Sequence, residues 1–293
     1  MKRARVRLRV VKRPSRFWTP GTDVVKEILR RYGDAIDNGD FIVISDKALS
    51  VAYGYLYDES RARASSIDTL FTKMIVGTWL HILRPLLAQY VVEQLKKTPL
   101  HLLAIHKKVV CYICRNPIHV LKPVSECGID TTNLPYSYVS TPISRCGRIV
   151  NEIRTEIEHR LGKKINVLVI DSDLCFKMKS FPIAITSRPS TVPGVISLGV
   201  IAYIAGHIFR RMFKVYPTPV AYSGTWIGLE PILRIARLAE KARGHGLGRT
   251  LSEMLRNLGR DSFSEIRWID LAKHRHYPVI LVKVTEIEEV GYR

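Results

Sequence analysis

The chain has 293 residues, 46% of them hydrophobic and 25% charged, enough to bury a large core as one big domain or two smaller ones. Lys and Arg number 46 against 26 Asp and Glu, and a surplus of +20 favours anionic partners: nucleotides, nucleic acid or acidic small molecules. Five cysteines, an odd number, and a start reading MKRARVRLRVVKR, without an apolar leader core, point to reduced thiols in a cytoplasm.

In chain order, residues 4–11 alternate Arg5, Arg7 and Arg9 with Val6, Leu8 and Val10, which predicts a half-buried strand with a basic outer face. Thr22 is positioned to cap a helix carrying Val24, Val25, Ile28, Leu29 and Tyr32 at core spacing, with Gly33 as its stop. Asn38-Gly39-Asp40 reads as a turn before the strand Phe41–Ser45. Residues 67–97 read as helical with a break at Pro85, and KVVCYIC (108–114) as a strand. Residues 143–161 place Ile143, Cys146, Val150, Ile153, Ile157 and Leu161 on one helical face, with Gly162 following as the stop. That helix feeds a strand, 165–170, which ends in Asp171-Ser172-Asp173. The stretch 192–209 holds no formal charge if His207 is neutral; a buried glycine-rich strand or helix is favoured over a membrane span. Residues 226–243 predict a helix with Pro231 in its first turn, and the tail predicts one more helix and a strand at Val279–Val284.

There is no G-x-x-x-x-G-K-[ST] run, and GHGLG (244–248) follows a helix rather than a strand, so neither phosphate-loop fingerprint is met. Cys111-x2-Cys114, with His119 and Cys127, has zinc-like spacing, but on a strand the two cysteines point to opposite faces, which favours buried small side chains. Gly128-Ile-Asp130-Thr131-Thr132-Asn133 and Asp171-Ser172-Asp173 offer the carboxylates and hydroxyls that a hard cation such as magnesium takes.

The stretches NGDFIVISDKALSVAYG, CGIDTTN and INVLVIDSD, in that order and spacing, resemble the coenzyme F420-0:γ-glutamyl ligases. The resemblance is good over 36–54 and 124–173 and traceable to about 248. It implies an α+β fold of mixed sheets with packed helices, forming an intertwined homodimer. It implies a ligase-like domain over 1–249 and a C-terminal segment, 250–293, packed on the same domain. It implies GTP as co-substrate and magnesium or manganese as cofactor, with a substrate carboxylate taking the γ-phosphoryl group and a glutamate amine attacking the acyl phosphate. Asp130, Asp171 and Ser172 then become metal ligands, and His245, in Gly244-His245-Gly246, stands where the family has a glutamate. Asp46, Lys47, Asn133, Gly244 and Gly246 fall on the nucleotide side. Three departures mark the chain: Val51 and Tyr53 replace a lysine and a glutamate, Lys177 and Lys179 replace arginines, and His245 replaces the glutamate. The expected partners are a nucleotide and an acidic small-molecule acceptor, ahead of a degenerate nucleotide- or metal-binding homologue and of a basic nucleic-acid binder.

Overall fold

A computed structural model describes residues 5–114, 117–123, 127–248 and 250–287. Residue 4 of the first strand and residues 124–126 of the matched stretch lie outside the described residues. Nine strands are described: β1 (Arg5–Val11), β2 (Phe41–Ser45), β3 (Leu56–Asp58), β4 (Tyr138–Ser140), β5 (Asn166–Met178), β6 (Ala184–Thr186), β7 (Val195–Ser197), β8 (Phe213–Ser223) and β9 (Val279–Ile287). Seven form the main sheet in the order β1-β9-β2-β5-β6-β7, with β8 also paired to β5; β3 and β4 form a separate two-stranded ribbon. The sheet is mixed: β2 runs parallel to β5 and β6 to β7, and the remaining pairs are antiparallel. The architecture is α+β, as the resemblance implies.

The centre of the sheet shows why its strands read as continuous apolar runs. Every residue of β2 is buried. On one face Ile42, Ile44, Val167, Val169, Val279 and Leu281 meet the helices Val24–Tyr32 and Cys146–Leu161. On the other, Phe41, Val43, Leu168, Ile170, Ile280 and Val282 meet the helix Leu229–Arg243. Side chains alternate across a strand, so a strand covered on both faces must be apolar at every position. A third cluster, built on Ile75, Trp79, Val109, Val110 and Val139, holds a lobe in which the helices Ser66–His81 and Leu100–Cys114 pack together.

Four expectations change. The cap of the first helix is Asp23, which accepts from the Lys26 amide at 3.0 Å; Thr22 turns back and donates to the Thr19 carbonyl at 2.7 Å. Residues 108–114 close the helix Leu100–Cys114, because Val109 and Val110 gain more from packing in the lobe than their β preference offers. Cys111 and Cys114 are then one turn apart on the same side of a helix, so the opposite-face argument falls. Yet among the described residues no three His, Cys, Asp or Glu side chains converge on a metal position. Cys114 instead hydrogen-bonds the thiol of Cys127, which lowers that thiol's pKa. The third change is that β5 does not stop at Asp171: it runs on to Met178, with register shifts at Val169/Ile170 and Asp171/Leu174. The fourth lies in the tail, which holds two short helices, Leu251–Leu258 and Trp268–Ala272, before β9.

The apolar stretch 192–209 becomes β7 and the helix Val200–Ile208. Among the described residues no helix is long and apolar enough to cross a membrane.

Candidate functional site

The parallel strand β2 ends beside the middle of β5, with Ser45 opposite Ile170 as the last residues of their pairing. Crevices at the carboxyl ends of parallel strands are where open sheets bind ligands. Here β2 passes directly into the helix Asp46–Ala52, so Asp46 and Lys47 stand beside Asp171 and Ser172 of β5. A cavity of about 840 Å³ opens over this edge. Its lining includes Lys47, Asp130, Asn133, Asp171, Ser172, Gly244, His245 and Gly246, so eight of the nine site residues expected from sequence share one cavity. The ninth, Asp46, is 3% exposed and lies behind that lining. Val51 also lines the cavity, whereas Lys177 and Lys179 do not; Lys177 pairs with Glu230 at 3.1 Å.

The acidic groups are tied to cations. Lys47 Nζ lies 2.5 Å from Asp130 Oδ2 and donates to Thr132 Oγ1 at 2.7 Å. The other oxygen of Asp130 accepts from the Thr132 amide and hydroxyl, at 2.8 and 2.9 Å. Behind them Arg188, 1% exposed, reaches Asp46 Oδ2 at 3.0 Å and Asp171 Oδ2 at 2.5 Å through a single nitrogen, Nη1. Burial would raise the Asp171 carboxyl, but Arg188, helped by Lys47 and Arg243, outweighs it and holds the group below its ordinary value. Burial pushes Asp46 up, opposed by Arg188 and assisted by the charge of Asp171. Asp173, paired with Lys122 at 3.3 Å, is pushed up to about 6 by burial, which that lysine only partly offsets.

The helix Leu229–Arg243 supplies the other wall. Ser172 Oγ donates to Glu240 at 2.8 Å, and Arg243 donates to Ser172 Oγ at 2.9 Å and to Ser45 Oγ at 2.6 Å. Arg243 thereby ties the end of β2 to the middle of β5. Asn133 is held in the left-handed region (φ 58°) and accepts the Leu247 amide at 3.0 Å, clamping the glycine loop 244–248 against the Gly128–Asn133 loop.

Sequence reasoning passed over Arg188, Glu240, Arg243, Lys122 and His276. For Arg188 a signal exists: it is the sole Asp, Glu, Lys or Arg between Lys179 and Arg210. A lone charge in so apolar a run needs a buried counter-charge. His276 lies at the cavity, its ring centroid 4.6 Å from that of Phe17 and its Nε2 without a hydrogen-bond partner. Burial, then the charges of Arg243 and Lys47, push its pKa down to about 3. An unfolded histidine titrates near 6.5, so between about pH 6.5 and 3 the unfolded chain binds the extra proton and stability falls as pH drops. His276→Gln is expected to flatten that acid limb in a series of thermal melts against pH. An unchanged slope would show that His276 is protonated in the folded chain as readily as in the unfolded one.

The donor set does not form a cage for a resident metal. Both oxygens of Asp130 are engaged, Ser172 is held between Glu240 and Arg243, and the described residues bring no three metal-binding side chains together. What the cavity offers is Lys47 and Arg243, each fixed by its own carboxylate, Asp130 and Glu240, on the cavity wall. That arrangement suits the phosphates of a nucleotide.

A mixed α+β sheet, with carboxylates of β5 and of the Gly128–Asn133 loop gathered at one cavity beside the end of β2, defines the class. The family model for F420-0:gamma-glutamyl ligase matches residues 15–195, and the chain belongs to this family of amide-forming ligases. Similar to it over 292 residues, at 27% identity and covering 96% of each chain, is the uncharacterized protein MJ1361 of Methanocaldococcus jannaschii.

Proposed function

We propose that this protein is a GTP-dependent ligase that joins glutamate, or a similar amino acid, to the carboxylate of an acidic acceptor. The observation that carries the reading is the convergence of three segments distant in sequence, 128–133, 171–173 and 244–248, on one cavity that Lys47 and Arg243 also line. In the first step an acceptor carboxylate oxygen attacks the γ-phosphorus, the bond to the β–γ bridging oxygen breaks, and GDP leaves. In the second, the amine attacks the acyl carbon, phosphate departs, and the ammonium proton passes to water. Lys47 and Arg243 hold the phosphates by charge and orientation, which carry most of phosphoryl-transfer catalysis. At about 840 Å³ the cavity has room for a nucleotide with a small acid beside it.

Magnesium or manganese enters this reading as the ion carried by the nucleotide's phosphates. Magnesium keeps several waters and asks one or two carboxylates of a protein; Asp171, which meets Arg188 through Oδ2, is the carboxylate at this cavity that would take it. The homodimer belongs to the same proposal and is checked by sedimentation.

Calorimetric titration with GTP and ATP, with and without magnesium or manganese, tests the reading. GTP is expected to bind, and Lys47→Met or Arg243→Gln to weaken it at least roughly tenfold, the scale of one charge-assisted hydrogen bond. Absence of binding with either nucleotide would overturn the ligase assignment. Steep salt-dependent binding of RNA or DNA in its place would turn the +20 charge toward nucleic acid.

A further inference from the structure

We propose that Arg188 is a built-in cation that balances Asp46 and Asp171 in place of a resident divalent ion, so that this acidic centre assembles without metal. The guanidinium bridges two carboxylates, Asp46 just after β2 and Asp171 within β5, through one nitrogen, at 3.0 and 2.5 Å, and the side chain is 1% exposed. It has a cradle: a Cβ built on Gly128 would stand 2.5 to 2.8 Å from the Arg188 Cζ, Nη1 and Nη2. The Gly128–Asn133 loop is therefore shaped around the guanidinium, and Gly128 (φ +81°) is the residue that permits it. The pattern repeats outward, with Lys47 on Asp130, Lys122 on Asp173 and Arg243 on Glu240. An arginine in a protein keeps its proton, so the charge is permanent. One guanidinium between two carboxylates leaves the trio formally at −1, so Arg188 adds no surplus positive charge to the cavity.

The inference concerns the same cavity as the ligase reading, but its test uses no nucleotide, so either can fail alone. The metal-stripped full chain is titrated with manganese, free Mn2+ being followed by electron paramagnetic resonance, and is melted in EDTA and in manganese. The wild type is expected to bind no manganese more tightly than the millimolar range and to melt at the same temperature in both solutions. In Arg188→Met two carboxylates lose their counter-charge, and manganese affinity is expected to rise by at least roughly tenfold, with manganese raising the melting temperature. The double variant Arg188→Met/Asp171→Asn is expected to lose that gain. Stoichiometric micromolar manganese on the wild type would overturn the proposal, as would a folded Arg188→Met with no response to the ion. If Arg188→Met does not fold, the wild-type titration decides alone.

Discussion

Gly128→Ala is expected to cost about 4–7 kcal/mol of folding free energy, while Gly21→Ala, at nearly the same φ, costs only about 1–2 kcal/mol. Both glycines have positive φ, +81° and +84°, so an L side chain carries the left-handed penalty in either place. They differ in what the new methyl meets. At Gly21 nothing lies within 4 Å; at Gly128 the methyl falls onto the buried guanidinium. That group cannot retreat without leaving Asp46 and Asp171 as unpaired charges, and breaking a buried pair costs about 3–5 kcal/mol. The combined loss at Gly128 is about 4–7 kcal/mol, against a whole-domain stability of about 5–15. Urea unfolding of the two variants checks this. Equal midpoints would show that the loop does not rest on Arg188.

Trp79→Ala is the second large effect, about 3–5 kcal/mol. The indole is 2% exposed, donates to the Leu121 carbonyl at 2.7 Å and meets Tyr203 edge-on at 5.8 Å. It fixes the helical lobe to the segment that carries Lys122, hence to Asp173. Local stability is uneven across a structure, so the loss is expected first in the lobe: amides of 66–81 and 100–114 exchange faster while those of β2 and β5 stay protected. Exchange that quickens equally in the central sheet would mean that lobe and sheet unfold as one unit.

What could be read from the sequence follows from the range of the forces involved. The strand Phe41–Ser45 and the helix Cys146–Leu161 were legible because local periodicity reports burial directly. The helix over 100–114 was not, since Val109, Val110, Tyr112 and Ile113 favour a strand and the packing that overrides them comes from residues far along the chain. The turn of Asp171 and Asp173 into a continuing strand was hidden for the same reason: Lys122 and Arg188, which make mid-strand acids tolerable, lie on other segments. The family motifs located the cavity. They could not disclose that its carboxylates are held by lysine and arginine, a pairing that exists only in three dimensions.

The position of β9 sets the order of events during synthesis. It lies between β1 and β2, so Arg9 faces Lys283 and Phe41 faces Val282 across the whole length of the fold. Until residues 279–287 leave the ribosome, β1 has no partner strand and the apolar FIVIS segment of β2 shows an open edge. An unpaired apolar edge is a template for aggregation, and pairings this distant in sequence form slowly. The nascent chain therefore carries one edge of this apolar strand open until residues 279–287 emerge, and chaperone occupancy should persist until then.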